Sequence, residues 1–364
     1  MKTRSRLSFL LILVLLAASP AQPLRAEPAP AYGKYSGMFF GTFDTAISLI
    51  GFAESKEVFD REYQRAETMF TELHRQFNQY LPYEGLNNLY FVNRNAAAGP
   101  VKVPGELFGL LEYCKRMQPQ TRGTVNVALG AVLALWHDAR ESAEADPAHP
   151  VLPDIESLRA AAGHTDMDDV VLDAAGQTVF FRDPLLKLDL GAVAKGYAAE
   201  KVAQALLKGQ MPHFILNAGG NVRAGLSPMD GRQEWSVAIQ DPDGENLLSP
   251  DTGVIDILYL HDTSVVTSGD YQRFFIAGGR RYHHLISPDT LFPAEHMRSV
   301  SIVTRDSAYA DLLSTAVFLM PFEQGYDFVR SLEGVEAYWV LNDRSVRMTP
   351  GLEGAAHSLG AGPH

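Results

Sequence analysis

Phe59, Tyr63, Ala66, Phe70, Leu73, Phe77 and Tyr80 follow one another at steps of three and four, which lays one apolar stripe along an α-helix. Pro82 closes that pattern. A second helix is predicted over Pro104–Gln118, with proline in its first turn and Leu107, Leu110, Leu111, Cys114 and Met117 facing inward. Further helices are predicted from Ala192 to Lys208, closed by Gly209, and over Ser307–Met320. Strands are expected at Phe43–Phe52, around Val170 and Val179, and at Leu186–Asp189, His213–Asn217, Trp235–Gln240, Val254–Leu260 and Val300–Thr304. Arg273–Ile276 and Arg281–Ile286 flank Gly278-Gly279, a hairpin signal. Arg140–Asp154, with three prolines, reads as a polar loop without an element, and residues 350–364 read as a disordered tail. Irregular alternation with several hairpins predicts a mixed α/β (α+β) fold with largely antiparallel sheets rather than a Rossmann sheet.

Composition narrows the class. The chain has 364 residues, 46% hydrophobic and 20% charged, which is enough for a real core. Its formal net charge of −12, without a basic run beyond the first residues, argues against a nucleic-acid partner. Lys2, Arg4 and Arg6 precede the apolar run Leu7–Ala18 and then small residues and prolines. That is the layout of a secretory signal peptide, taken as residues 1–26, with cleavage after Ala21 or Ala26. The run is short of the ~20 residues that span a bilayer. The expected location is therefore across the inner membrane, in the periplasm, with an uncleaved leader acting as an anchor as the alternative. Cys114 is the only cysteine and sits in a helical stripe, where a buried structural thiol is the better reading.

Common nucleotide and hydrolase signatures are missing. Gly191–Gly196 has its lysine before the second glycine and no following Ser or Thr, so it fails the phosphate-loop pattern. No Gly-x-Gly-x-x-Gly, His-Glu-x-x-His or Gly-x-Ser-x-Gly is present. What remains is four polar, glycine-bearing segments: Lys187–Tyr197, Asn217–Asn221, Thr267–Tyr271 and Tyr282–Pro288. Glycines at strand ends let backbone N–H groups approach an anion, although Asn-Ala-Gly-Gly is also an ordinary turn. Asp311 and Thr315, four apart in an otherwise apolar helix, put two oxygens on one face. Such oxygens suit Mg²⁺, and the competing reading is an exposed aspartate with a threonine bonded back to its own helix.

Taken in order, these segments resemble the FAD:protein FMN transferase family, the ApbE-type flavin transferases. The resemblance is carried by Leu188-Asp-Leu-Gly-Ala-Val-Ala-Lys-Gly-Tyr-Ala198, Asn217-Ala-Gly-Gly-Asn221, Thr267–Phe275, Ala310-Asp-Leu-Leu-Ser-Thr-Ala316 and Thr124–His137. It implies a two-lobed fold with the FAD site in a cleft, spanning residues 33–349. It further implies that Mg²⁺ is held by Asp311, Thr315 and the carbonyl of Ala192, and that FAD is the substrate. Lys195, Asn217, Gly219, Gly220, Asn221, Thr267, Ser268, Gly269 and Asp270 would line the FAD cleft. Tyr80 would pack on the isoalloxazine, against its competing place as the last residue of the helix stripe. His284 would be the general base, with His283 as its rival. The family's Asp-Pro-Arg-Thr-Gly reads Ser287-Pro-Asp-Thr-Leu291 here. The implied reaction transfers FMN to a Thr or Ser hydroxyl of an acceptor flavoprotein, such as a subunit of a membrane redox complex, and releases AMP. An FAD carrier and an FAD pyrophosphatase would share the same cleft.

Overall fold

The structure, a computed structural model, describes residues 32–244 and 253–362. The leader expected at residues 1–26 lies outside the described residues. Strands β1 (Gly33–Thr42) and β2 (Thr45–Ala53) form a hairpin, followed by helices α1 (Lys56–Phe77) and α2 (Leu89–Asn95). A short β3 (Val101–Lys102) leads to α3 (Gly105–Met117), α4 (Gly130–Ala145) and α5 (Ile155–Ala162), then β4 (Val170–Asp173) and β5 (Thr178–Phe181). Helix α6 (Ala194–Leu207) precedes β6 (Phe214–Ala218), β7 (Asn221–Ala224), β8 (Trp235–Gln240), β9 (Val254–Leu260) and β10 (Thr263–Gly269). The hairpin β11 (Phe274–Ala277) and β12 (Arg280–His283) is followed by β13 (Ser299–Thr304), α7 (Ser307–Phe318), α8 (Phe322–Arg330), β14 (Glu336–Val340) and β15 (Val346–Met348).

Eight strands form one sheet in the order β1-β2-β6-β7-β10-β13-β14-β15, and every neighbouring pair is antiparallel. The fold is thus mixed α/β with antiparallel sheets and no doubly wound parallel core. Strand alternation divides its residues between two layers. Leu216 and Ala218 pack with α1, α3 and α6, and Val266, Val300 and Ile302 pack under α7 and α8. On the opposite face, Ile215, Val222, Val265 and Val303 meet the β8–β9 ribbon through Trp235, Val237 and Leu258. A separate cluster joins α4 and α5 to the β11–β12 hairpin through Trp136, Phe275 and Ile286. Helix α7 is buried on every side, which explains its nearly continuous apolar sequence.

Several expectations need correction. The α1 stripe ends at Phe77, because Asn78 turns out of the helix and its Oδ1 accepts from the N–H groups of Tyr80 and Leu81. Tyr80 is therefore not a stripe residue. Fully buried Asn88 fixes that turn by donating to the carbonyls of Arg75, Asn78 and Leu81. Leu186–Asp189 makes no ladder beyond one bridge, since the Asn93 side chain takes both the N–H and the C=O of Leu188. Helix α4 continues through Arg140 to Ala145, so the proline-rich loop begins later than expected. The chain end is also ordered as far as residue 362. Leu352 and Ala356 are buried against the ribbon, and Asp256 accepts from both the N–H and the hydroxyl of Ser358.

Candidate active site

Asp311 is the centre of the site. It lies on α7 with its side chain 5% exposed, and its Oδ2 accepts a 2.8 Å hydrogen bond from the N–H of Gly196 in the first turn of α6. The close approach depends on Gly196, where a Cβ would overlap the Ser307 carbonyl oxygen and the Asp311 Cβ. The hydrogen bond has a second effect. Tyr197 N–H returns to Val193, whereas Gly196 N–H is drawn to Asp311, so the Ala192 carbonyl lacks the partner a helix would give it. Thr315 lies one turn on from Asp311, buried, and its hydroxyl makes no hydrogen bond among the described residues. A carboxylate oxygen, a hydroxyl and a carbonyl are thus left without the competing partners expected of them.

Lys195 and Asn221 stand beside this group. Lys195 Nζ lies 3.5 Å from Asn221 Oδ1. The Asn221 side chain is near enough to Asp311 to favour its charged form, yet its buried Nδ2 completes no hydrogen bond of ordinary geometry. An orphaned buried donor of this kind costs about 1–3 kcal/mol unless a ligand satisfies it. Burial raises the Asp311 carboxyl pKa, opposed by the Lys195 ammonium, the Gly196 N–H, Asn221 and Arg273. Burial likewise lowers the Lys195 pKa, with Asp311 opposing and Arg273 reinforcing the shift.

The two candidate histidines separate cleanly. His283 is buried, with Nε2 donating to the Ala294 carbonyl at 2.8 Å and Nδ1 accepting from Leu285 N–H at 3.2 Å. Both of its nitrogens are occupied. His284 follows the end of β12, and its Nδ1 lies 3.1 Å from the Gln272 carbonyl. A carbonyl only accepts, so Nδ1 carries the proton and Nε2 presents a lone pair with no hydrogen bond among the described residues. Burial, and then the charges of Arg273, His283 and Lys195, hold the His284 pKa well below the ordinary imidazole value. A neutral, singly anchored imidazole is what a general base requires.

The remaining predicted residues divide by strand face. Gly219 and Gly220 form the β6–β7 turn at φ +60° and +93°, and Asn217 Oδ1 accepts from Gly220 N–H to hold it. Asn217 thus spends its acceptor on its own turn. Thr267 shares the ribbon side of β10 with Val265, and its hydroxyl is 2.6 Å from that of Ser301. Ser268 faces α7 instead and bonds Ser314 at 2.9 Å. Gly269 ends β10, and the Asp270 carboxylate is held by Arg281 at 3.1 Å and Arg298 at 2.8 Å. The structure therefore groups Lys195, Gly196, Asn221 and Asp311, with His284 within reach of the Lys195 charge; Thr315 lies one helical turn from Asp311, and Ala192 just before the start of α6. It does not bring the Thr267 hydroxyl or the Asp270 carboxylate to that centre.

Tyr80 reaches the site from the loop after α1. Its ring is 49% exposed and stacks on His137 of α4 with centroids 4.4 Å apart. Gln79 beside it donates to Asp189 Oδ2 at 2.6 Å, and Asp189 Oδ1 in turn accepts from Gly191 N–H. Asp189, His137 and Gln272 were not singled out individually by sequence, although each sits in a quoted segment. At Ser287 a local turn forms, in which its Oγ accepts from Asp289 and Thr290 N–H. Leu291 sits at φ +62° where the family pattern has glycine, and its carbonyl accepts from Trp136 Nε1. That backbone costs about 1–2 kcal/mol.

Together these features define an enzyme-like centre: hard oxygen donors, a half-buried cation, an orphaned amide and a neutral imidazole, set between α6, α7 and the β11–β12 hairpin. The chain belongs to the ApbE family, whose model matches residues 43–339. It is 36% identical over 301 residues to the FAD:protein FMN transferase of Treponema pallidum, covering 79% of each chain. It is 30% identical over 256 residues to that of Klebsiella pneumoniae, covering 70% of this chain and 75% of the relative. The crystal structure of the ApbE protein from Thermotoga maritima superposes with a TM-score of 0.75 at 25% identity, covering 88% of this chain and 98% of that one. The flavin transferase ApbE from Vibrio cholerae shares the fold, with a TM-score of 0.70 at 22% identity over 87% of this chain and 97% of that one.

Proposed function

We propose that the protein is an FAD:protein FMN transferase that uses Mg²⁺ and joins FMN to a Thr or Ser hydroxyl of an acceptor protein. The observation that carries this reading is the Asp311–Gly196 contact. It joins the first turn of α6, next to Lys195, to Asp311 on α7, with Thr315 one turn further along the same helix and Ala192 just before the start of α6. Among the described residues no group of three or more His, Cys, Asp or Glu could hold a metal. One carboxylate with neutral oxygens is the donor set that Mg²⁺ accepts, since it keeps waters and draws on substrate phosphate. Bound there, Mg²⁺ would neutralise pyrophosphate charge.

The chain's own groups account for the rest. Lys195 and the Asn221 amide face the anionic centre of FAD and hold it in place. His284 Nε2 takes the proton of the acceptor hydroxyl, whose oxygen bonds to the phosphorus on the riboflavin side. The bond from that phosphorus to the bridging oxygen breaks, and AMP leaves with the bonding electron pair. Tyr80 offers an aromatic face to the flavin ring. The basic, apolar and small-residue leader supports export to the periplasm, where an acceptor subunit of a membrane redox complex would be met.

A denaturing gel read by flavin fluorescence tests the reading. Protein, FAD, Mg²⁺ and an acceptor domain should yield a fluorescent acceptor band that disappears with EDTA. Intact FAD without a band would replace the reading by a carrier, and AMP with free FMN would replace it by a pyrophosphatase. The pH profile should also be distinctive. The active form of His284 is neutral and its pKa lies well below 6.5, so kcat/KM should hold as pH falls through 6.5 and drop only at lower pH. An acid limb centred at or above 6.5 would remove His284 from the role of base.

A further inference from the structure

Three residues other than glycine adopt left-handed backbone at one edge of the site. Phe43 and Asp44, the two turn residues between β1 and β2, have φ of +53° and +52°, and Arg273 has φ +44°. They are joined to one another. Arg273 Nη2 donates to the Phe43 carbonyl at 3.1 Å and lies 3.9 Å from the Asp44 carboxylate. On its other side the Phe43 N–H donates to His74 Nδ1 at 3.1 Å, and the Phe43 ring packs on Phe70, His74 and Phe77. Strained backbone persists where surrounding structure over-determines it, and such positions gather at ligand clamps.

What this arrangement holds in place is a guanidinium. The β11–β12 register pairs Phe274 with His283, so the next position of the hairpin sets Arg273 against His284. Its charge also reaches Tyr80, Lys195 and Asp311, which places it beside several groups of the centre. The side chain remains 41% exposed. Of the five N–H donors of a guanidinium, one is engaged by the Phe43 carbonyl, and Asp44, itself 81% exposed, is too far for a hydrogen bond. A planar fork with free donors suits a pair of phosphate oxygens.

We propose that Arg273 is a further catalytic residue: its guanidinium leaves Asp44 and grips the pyrophosphate oxygens of FAD, opposite Lys195. This rests on the transferase reading for the identity of the substrate. The turn at Phe43–Asp44 supplies the holding arm, so that the cation is aimed before substrate arrives. Asp44 serves as its resting partner.

The test measures flavin binding by fluorescence titration for the wild type, Arg273→Ala and Arg273→Lys, with FAD and with riboflavin, which has no phosphate. Arg273→Ala should weaken FAD binding by about 10- to 100-fold. Riboflavin binding should be unchanged, and Arg273→Lys should recover part of the FAD loss. Asp44→Asn, which removes the resting partner's charge and still suits the left-handed turn, should bind FAD at least as tightly as the wild type. Equal loss for both flavins would assign Arg273 a structural role and overturn the proposal, as would unaltered FAD binding in Arg273→Ala. Should riboflavin prove too weak to titrate, KM and kcat for FAD decide: a raised KM with retained fold supports the grip, and unchanged constants overturn it. A wild type that binds FAD but never labels an acceptor would sink the transferase reading while leaving the binding comparison valid.

Discussion

Replacing Asp311 by asparagine should reduce transfer by about a thousandfold, with the fold retained. The asparagine keeps an oxygen for the Gly196 N–H, so the α6–α7 contact survives. What is lost is the negative charge that balances Lys195 and that the proposed Mg²⁺ site requires. Asp311→Ala removes the acceptor as well and should cost an additional 1–3 kcal/mol or so of stability from the stranded N–H. Steady-state kinetics with urea midpoints for both variants separates these effects. An asparagine variant with near-normal turnover would refute the assignment of Asp311 to the metal.

The second large effect is expected at Gly196. A methyl group there meets the Ser307 carbonyl and the Asp311 Cβ, neither of which is the free end of a flexible side chain. The two helices must move apart, and both are held from behind. Glu200 of α6 accepts from the N–H of Ser307 and from the buried Arg223, and Arg223 also pairs with Asp262. Gly196→Ala should therefore destabilise the protein by about 1–3 kcal/mol, as overpacking does. It should also abolish activity at temperatures where the protein is still folded, because the hydrogen bond to Asp311 is lengthened. A lowered urea midpoint with normal activity would show that the contact is structural alone.

The sequence carried the parts of this protein that obey local rules. The α1 stripe, the Gly278-Gly279 hairpin and the Asp311/Thr315 spacing all follow from periodicity or turn chemistry. The parts that escaped it are governed by single long-range contacts. The β1–β2 hairpin has Phe43 and Asp44 at left-handed positions where Asn or Gly would have announced a turn, so β1 was not foreseen. Tyr80 fits a helical step but lies beyond an Asn78 turn fixed from Asn88. The segment Thr267–Asp270 reads as one lining stretch, yet strand alternation sends Thr267 and Ser268 to opposite layers and two arginines claim Asp270. Arg273 lies within the quoted segment Thr267–Phe275, but nothing local sets it apart, because its role depends on what the β1–β2 turn and His284 bring to it.

The strand order of the large sheet also sets a timetable for folding. Strand β2 finds its inner neighbour only when Ile47 to Gly51 meet Phe214 to Ala218, far along the chain. The β1–β2 hairpin can form locally within microseconds, but its apolar edge must then wait for a distant partner. During that interval Ile47 and Leu49, fully buried in the finished protein, are open to other chains. Slow refolding, and losses to aggregation that grow with protein concentration, are the expected cost of a sheet whose second strand must wait for a partner about 165 residues further along the chain.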